Sequence, residues 1–235
     1  MLSNFHLFGP THLAILTSVV ILGAILAAIQ RRLATGSSWL RFTLAWAILI
    51  DTVIWYAWMV AHGEHIFPSK LPLELCDASL GLAIIALFTL SPVIFDLVYY
   101  TSAAGTSMAL LTPNLWEPFP SFGTVQFFVA HGLTLSAVLF LLWSGQARPR
   151  RGSPFRAMIF VNCWAAIAGT FDWLLKTDFM YLRAKPQDAS LLDLLGPWPW
   201  YIFSAEAVAF FLFLLLYLPF RKPLDGMHGQ QPKQK

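Results

Sequence analysis

The sequence predicts an all-α fold, a polytopic membrane helix bundle of about seven transmembrane helices. Composition is the first reason: the 235 residues are 57% hydrophobic and 11% charged, with a mean hydropathy of +0.64. A soluble core of this length cannot bury so much apolar surface, whereas a bilayer accommodates it. Spacing is the second reason, because apolar runs of about 20 residues, the length that crosses a hydrocarbon core, recur along the chain.

Seven windows of the chain have this length and composition. They are residues 11–30, 39–61, 71–90, 92–112, 122–143, 155–175 and 198–220. The fourth window is the weakest, because it carries Asp96 and the small-residue run TSAAGTS, which favours close helix packing over lipid contact. One span more or fewer therefore stays open.

The chain is predicted to form one transmembrane domain over residues 1–221. Its N-terminal segment has no basic region and no clear cleavage site, so the first window is predicted to be retained rather than removed as a signal peptide. Residues 222–235 are polar and are predicted to form a disordered cytoplasmic tail.

Basic residues are distributed unevenly between the two sides of this seven-span arrangement. One side carries eleven of them: Arg31, Arg32, Arg41, Arg148, Arg150, Arg151, Arg156, Arg221, Lys222, Lys233 and Lys235. The other side carries four: Lys70, Lys176, Arg183 and Lys185. The positive-inside rule therefore predicts an N-terminus outside and a C-terminus inside. Topology also explains the pI near 9.0, so the basic character gives no support for nucleic-acid binding.

The sequence contains no signature of a bound cofactor. Its two cysteines lie within apolar runs and provide neither a disulfide framework nor a CxxC metal spacing. A Gly-rich phosphate loop and a haem motif are also missing from the sequence. We therefore expect no cofactor.

Ionisable side chains converge on the predicted outer half of the bundle. They are Glu74, Cys76, Asp77, His131, Asp172 and Glu206. The second span adds a polar and aromatic face, because its residues at 4, 3, 4 spacing lie on one side of a helix. These residues are Asp51, Trp55, Trp58 and His62, with His65 one turn further out. We expect this face to point into the bundle, since a carboxylate at mid-bilayer depth is costly towards lipid.

Several of these residues also have a simpler structural interpretation. Glu74 and Asp77 lie at a helix start, where acidic side chains stabilise the helix dipole. Asp172 and Lys176, at i and i+4, are predicted to form a helix-end ion pair. Cys163 lies near the inner end of its span, with no histidine at its level, and is predicted to be a packing residue.

Cys76 and His131 form a candidate catalytic pair. His131 stands among apolar neighbours in FFVAHGLTLS, and an intramembrane ionisable residue indicates a function. An imidazole can take the proton of a thiol and return it to a leaving group. Cys76 lies near the positive pole of its helix, which favours the thiolate, whereas the neighbouring carboxylates oppose it. Counted from the span starts, Cys76 lies about 8 Å deep and His131 about 14 Å deep, a gap that a shift of about two or three residues covers.

Four stretches of the sequence resemble a known family. They are LPLELC, ALLTPNL, FVAHG and DFMYLRAKPQDASLLDLLGPWPWYI, the last at 178–202. They resemble the YwaF-type bacterial integral membrane family, which is related to transmembrane protein 164 of animals, from about the second to the seventh span. The resemblance implies a Cys-His acyltransferase that remodels ether phospholipids and, more distantly, the androgen-induced membrane hydrolases of fatty-acid esters, which use Thr and His. Matched motif to motif, the Cys falls on Cys76 and the His on His131.

The main hypothesis is therefore a lipid acyltransferase or acyl-ester hydrolase, integral to the bacterial cytoplasmic membrane and acting on membrane lipids. Cys76 attacks an acyl ester to give a thioester, and His131 serves as the base. Candidates for the oxyanion donor are Asn114 and Gln126. The full set of supporting or substrate-binding candidates is Glu74, Asp77, Asn114, Gln126, Asp51, Trp55, Trp58, His62, Asp172 and Glu206.

The connection between residues 176 and 198 is long for a helix bundle. Its DASLLDLL segment is predicted to form either a short interfacial helix capped by Asp188, which suits a lid, or a plain amphipathic linker.

Three other functions stay open from the sequence. A proton-coupled carrier would place Asp51, His62, His131 and Glu206 inside the bundle, although no matched pair of interrupted spans is found. A zinc-dependent membrane hydrolase would use His62, His65 and His131 as ligands, but the last span lacks a histidine. A serine protease would use AGTSM at 104–108 with His131, which is a weak pattern.

Overall fold

The computed structural model describes residues 5–33, 37–115, 117–186 and 190–221. Seven helical segments follow one another, as predicted, and the described residues contain no strand. We number them α1 (Pro10–Arg32), α2 (Trp39–Ala61), α3 (Leu75–Thr89), α4 (92–111), α5 (Phe122–Trp143), α6 (Ser153–Leu175) and α7 (Trp200–Tyr217). Short 3₁₀ turns lie at Phe179–Tyr181, Leu191–Leu195 and Leu218–Phe220. The predicted tail lies outside the described residues.

Five of the described helices, α1, α2, α5, α6 and α7, are long and apolar enough to cross a membrane. This confirms the membrane class, while the orientation of the termini stays a prediction. The other two helices depart from the expected uniform spans. They are α3 and α4, and both of them contribute to the candidate site.

Helix α3 has 15 residues and begins at Leu75, four residues later than predicted. Proline at position 72 has no N–H and disfavours helical backbone at Leu71, so the apolar window starts before the helix does. At 1.5 Å per residue, α3 is about 22 Å long, which is shorter than a hydrocarbon core of about 30 Å. By its length alone, α3 does not cross a hydrocarbon core of that thickness.

Helix α4 consists of three consecutive pieces. An α-helical piece, Pro92–Tyr100, is followed by a π-helical turn, Thr101–Thr106, and by a last α-helical turn, Ser107–Leu111. The π-helical turn is the small-residue run of the sequence, and it contacts α3, α5 and α7. Small side chains permit this approach, since a Cβ added at Gly105 would lie 3.7 Å from Leu75 Cδ2.

Helix α5 is the most buried of the five long helices and occupies the centre of the bundle. Its closest partner is α1, and two glycines make this contact tight. A Cβ at Gly23 of α1 would lie 2.9 Å from Leu139 Cβ, and a Cβ at Gly132 of α5 would lie 3.0 Å from Val19 Cγ2. Side chains larger than hydrogen would force the two helices apart.

The connections between consecutive helices alternate between two ends of the bundle. We call the end with the α1–α2, α3–α4 and α5–α6 connections the basic end, and the end with the other three connections the site end. At the basic end the buried Asp96 accepts hydrogen bonds from Arg150 and Arg156, at 2.7 and 2.8 Å to their Nη2 atoms. Arg41 Nη1 donates to the Leu87 carbonyl at 2.7 Å. The first set of bonds joins α4 to the start of α6, and the Arg41 bond joins α2 to α3.

Candidate functional site

The start of α3 is held by the two carboxylates that flank Cys76. Asp77 Oδ2 accepts the backbone N–H of Glu74 at 3.0 Å, which caps the helix. Glu74 Oε2 accepts the backbone N–H of Met180 at 2.9 Å, which ties α3 to the α6–α7 connection. Both carboxylates therefore have a structural partner, and neither forms a described hydrogen bond with His131.

The segment just before this helix start packs against α6. Trp164 Nε1 of α6 donates to the Leu73 carbonyl at 3.0 Å. Trp164 is eleven residues before Leu175, the last residue of α6, which is about 16 Å along the helix axis. The count of about 8 Å for Cys76 assumed a helix from residue 71, and that assumption is wrong, because residues 71–74 are not helical.

Cys76 lies in the first turn of α3 and is half-buried. Its thiol forms no hydrogen bond within the described part of the chain. The second cysteine, Cys163, is exposed on α6 and is therefore separate from this region. Of the two thiols, Cys76 alone lies at a half-buried helix start, on a helix that contacts several others.

His131 is half-buried in α5, and its ring packs on Phe127 with a centroid distance of 4.1 Å. Its Nδ1 lies 2.7 Å from the Phe127 carbonyl oxygen. Because a carbonyl oxygen only accepts hydrogen bonds, Nδ1 carries the proton in the neutral ring and Nε2 presents its lone pair. No described residue hydrogen-bonds to Nε2. This tautomer is the one that a general base needs.

Helices α3 and α5 are in direct contact, but no hydrogen bond joins Cys76 to His131 within the residues that the structure covers. The structure thus brings their two helices together without forming the catalytic contact.

His12, which the sequence analysis did not select, shows how a structural histidine differs from His131. It is fully buried in α1, where its Nδ1 accepts the Phe8 N–H at 2.9 Å and its Nε2 lies 2.7 Å from the Leu110 carbonyl oxygen. Both ring nitrogens are therefore occupied, and no lone pair is left for chemistry. These bonds join the start of α1 to the end of α4.

The polar face of α2 packs against α5. Gln126 Nε2 of α5 donates to Asp51 Oδ2 at 3.1 Å. Further out, Trp55 and Trp58 stack on each other and on Phe122, with 4.9 Å between the ring centroids of Trp58 and Phe122. The Gln126 amide is thus already engaged by a carboxylate, which weakens its candidacy as an oxyanion donor.

The two histidines beyond this face are exposed. His62 stacks on Trp58 at 4.2 Å, just after the end of α2. The expected position of His65 on the same helical face is wrong, because α2 ends at Ala61 and His65 lies in the following loop. No group of three His, Cys, Asp or Glu in the described ranges is arranged to hold a metal ion, so the three-histidine zinc arrangement does not form there.

Asp172 is fully buried near the end of α6. Its Oδ1 accepts hydrogen bonds from Thr177 Oγ1 and from the Phe179 N–H, both at 2.8 Å. The predicted ion pair with Lys176 is wrong, because Lys176 adopts a left-handed conformation (φ 61°) and is exposed. Asp172 instead folds the chain after α6 back against the helix.

The α6–α7 connection covers the site end through its first part, residues 177–183, which we call the strap. The buried Phe179 of the strap packs with Leu73 and Ala168. Asn114 Nδ2 donates to Tyr181 Oη at 3.4 Å, and Tyr201 of α7 donates its hydroxyl to the Tyr181 carbonyl. The strap therefore contacts α3, α6, α7 and the α4–α5 connection.

The second part of this connection contains a 3₁₀ turn, Leu191–Leu195, rather than a regular helix. Its first residue is preceded by Ser190, whose N–H donates to Asp193 Oδ2 at 2.8 Å. The predicted cap, Asp188, lies outside the described residues. Leu194 of the turn is 81% exposed.

The remaining candidates are dispersed. Glu206 is half-buried on α7, and no hydrogen bond or ion pair joins any two of Asp51, His62, His131 and Glu206 within the described ranges. Ser107 of the AGTSM pattern donates to the Ser102 carbonyl at 3.4 Å, across the π-helical turn. That bond is a local backbone contact of the kind expected inside a helix.

The π-helical turn provides two polar groups that the sequence analysis missed. The hydroxyls of Ser102 and Thr106 are buried and have no hydrogen-bond partner in the described structure. π-helical turns occur frequently at functional sites. The run of small polar residues was the only hint of this site in the sequence. Hydropathy does not reveal that the run forms a π-helical turn.

Comparisons with known proteins agree with the motifs of the sequence. The family model described as TMEM164 family matches residues 7–217. A protein of Treponema pallidum (strain Nichols), described as an uncharacterized protein, is 24% identical over 231 residues, which cover 94% of this chain and 92% of that protein. No solved structure gives a significant match.

Proposed function

Because this chain belongs to the TMEM164 family, we propose that it is an integral membrane lipid acyltransferase or acyl-ester hydrolase that uses Cys76 as nucleophile and His131 as base. The family match supports a membrane protein of acyltransferase type. The observation that carries the residue assignment is the lone pair of His131 Nε2, which no described residue occupies, on a helix in contact with the helix of Cys76.

The proposed reaction has two stages. His131 Nε2 takes the proton of the Cys76 thiol while the sulfur attacks the carbonyl carbon of a lipid ester. The tetrahedral intermediate collapses to a thioester, and His131 returns the proton to the departing lipid alkoxide. His131 then deprotonates a lipid hydroxyl or water, whose oxygen attacks the thioester, and the Cys76 thiolate leaves and regains its proton. Transfer and hydrolysis differ only in this acceptor.

The reaction requires Cys76 and His131 to approach each other. The reacting atoms are both available for this approach, because neither the Cys76 thiol nor His131 Nε2 has a hydrogen-bond partner in the described structure, while the Nδ1 bond to Phe127 holds the imidazole ring. Lipid binding under the strap provides a reason for the approach, since the strap is attached to α3 through Glu74 and Met180. In this proposal the strap acts as the lid, in place of the DASLLDLL segment for which the sequence suggested that role.

The developing oxyanion needs a hydrogen-bond donor. Gln126 is engaged by Asp51, and the Asn114 contact with Tyr181 is long, at 3.4 Å. Thr106 is a better candidate than either, because its hydroxyl is unpartnered and lies in the π-helical turn that contacts both α3 and α5. A hydroxyl is a suitable donor to an oxyanion.

The test is labelling of the purified full-length protein with a lipid-like electrophilic probe that reacts with catalytic nucleophiles. The variants are Cys76→Ala, His131→Ala and the matched control Cys163→Ala. We expect labelling to be lost in Cys76→Ala, to fall at least about tenfold in His131→Ala and to persist in Cys163→Ala. Equal labelling of all folded variants would refute the Cys-His assignment.

A proton-coupled carrier is the second candidate, and the Asp51–Gln126 hydrogen bond favours it. A carboxylate in the middle of a membrane helix that is bonded to a neighbouring helix is typical of a proton relay. Reconstituted vesicles with an imposed proton gradient test this function. Proton uptake driven by this gradient that is lost in Asp51→Asn and retained in Cys76→Ala would favour the carrier over the enzyme.

The cellular location completes the proposal. The basic end carries most of the arginines, so the positive-inside rule puts the site end outside. We therefore assign the activity to the outer half of a bacterial cytoplasmic membrane. Accessibility of single cysteines, introduced in the α4–α5 connection, to an impermeant thiol reagent on intact cells tests this orientation.

A further inference from the structure

A groove lies at the basic end, opposite the end of the bundle at which α3 and Cys76 begin. It runs between the start of α6 and the end of α7 and has a volume of about 440 Å³. Arg151 and Arg221 line its polar side, and Phe155, Leu214 and Leu218 line its apolar side. The groove thus combines two cations with an apolar wall.

The two arginines differ from their neighbours in how their charge is balanced. Arg150 and Arg156 share the buried carboxylate of Asp96. Neither Arg151 nor Arg221 forms an ion pair with a carboxylate of the described residues, and both are exposed. Two unbalanced guanidinium groups in one groove attract an anion with several oxygen acceptors.

The start of α6 strengthens this preference. The residue before the helix is Gly152, which has no capping side chain, and the first turn contains no acidic residue. The positive pole of a helix start favours an anion. Arg151 immediately precedes this helix start, so the two positive features are adjacent.

The apolar side of the groove makes a small free anion a poor fit. Phe155 is 58% exposed and Leu218 is 49% exposed, and both face the groove beside the arginines. In a membrane these side chains lie where acyl chains begin, directly below the headgroup region. A ligand with an anionic head and an apolar chain fits both sides.

We propose that this groove binds an anionic phospholipid, with the phosphate on Arg151 and Arg221 and an acyl chain along Phe155 and Leu214. The site does not depend on the acyl-transfer chemistry proposed above, since the two lie at opposite ends of the bundle. Lipid in this groove bridges α6 and α7, which also contact each other directly through Phe155 and Phe210, with 5.3 Å between their ring centroids.

Native mass spectrometry of the full-length protein released from mild detergent tests the proposal. The probes are phosphatidylglycerol, phosphatidylcholine and inorganic phosphate. The test variant is the double substitution Arg151→Gln with Arg221→Gln, and the control is Arg32→Gln with Arg148→Gln, which removes the same charge from exposed residues outside the groove. We expect phosphatidylglycerol retention to fall about tenfold in the test variant and less than about twofold in the control.

A second variant, Leu214→Trp, fills the apolar side without changing charge, and we expect it also to reduce phosphatidylglycerol retention. Circular dichroism spectra equal to those of the wild type establish that the variants are folded. Equal losses in the test and control variants would show diffuse surface attraction and overturn the proposal. Equal retention of phosphatidylcholine, or retention of inorganic phosphate alone, would overturn it as well, because the first needs no anion and the second needs no acyl chain.

Discussion

Replacement of Asp96 by asparagine is the sharpest test of the packing at the basic end. The Asp96 carboxylate is fully buried and accepts the Arg150 N–H at 2.9 Å through Oδ1. Its Oδ2 accepts the side chains of Arg150 and Arg156, at 2.7 and 2.8 Å. Asparagine removes the charge and turns an N–H₂ group or a neutral oxygen towards two cations.

The size of the effect follows from the exposure of the partners. Breaking a fully buried ion pair costs about 3–5 kcal/mol. The side chains of Arg150 and Arg156 are 43% and 37% exposed to solvent, so both can turn towards water after the substitution. We therefore expect a loss of about 2 kcal/mol, because partial solvation screens such pairs. At about 2–4 °C per kcal/mol, Tm falls by about 4–8 °C.

The assay is thermal unfolding of the purified protein in detergent, followed by intrinsic tryptophan fluorescence. Asp193→Asn is the matched control, because Asp193 forms a half-exposed pair with Lys185 at 3.6 Å and an asparagine oxygen can still accept the Ser190 N–H that Asp193 Oδ2 accepts. We expect a change in Tm of less than about 2 °C for this control. An Asp96→Asn variant whose Tm equals that of Asp193→Asn would refute the reasoning.

The same unfolding assay checks two further predictions. We expect Gly23→Ala to lower the free energy of unfolding by about 1–3 kcal/mol, because its Cβ would lie 2.9 Å from Leu139 Cβ. Gly81→Ala is the control and has no such cost, since no atom lies within 4 Å of its Cβ. Equal effects of the two substitutions would contradict the tight α1–α5 contact. We expect His12→Phe to cost about 1–3 kcal/mol, because the buried Leu110 carbonyl loses its donor, and an unchanged Tm would contradict this.

Hydropathy predicted most of the fold. The second and fifth windows, 39–61 and 122–143, coincide with α2 and α5, because uninterrupted apolar length is what a bilayer requires of a helix. It failed at α3, where Pro72 separates the apolar run from the helix start. It also missed the π-helical turn of α4, since hydrogen-bond spacing within a helix leaves no trace in apolar content.

Long-range contacts account for the rest of the difference. Asp96 made its window the weakest candidate for a membrane span. The arginines that bind its carboxylate, Arg150 and Arg156, lie 54 and 60 residues further along the chain. Helical periodicity gives the face on which a side chain lies and not the helix it will meet. The helix cap formed by Glu74 and Asp77 is predictable from the sequence, because two acidic residues three positions apart before an apolar run are a local pattern.

Whether Cys76 and His131 lie close together could not be predicted from the sequence for the same reason. Their helices are in contact, which no periodicity establishes, and their side chains form no described hydrogen bond. The tautomer of His131 depends on one backbone carbonyl four residues earlier, which is a local feature. Such local features can be inferred from an ideal helix, whereas the separation of two reactive atoms needs the packed bundle.

The short length of α3 has a consequence for biogenesis. A helix of 15 residues gains less from partitioning into lipid than a full span does, so it is a weak insertion signal by itself. Leu90, at φ 53°, turns the chain directly into α4, which begins at Pro92. We expect α3 and α4 to leave the translocon together as a helical hairpin, and the bilayer around the finished protein to be thinner beside α3 than beside α1.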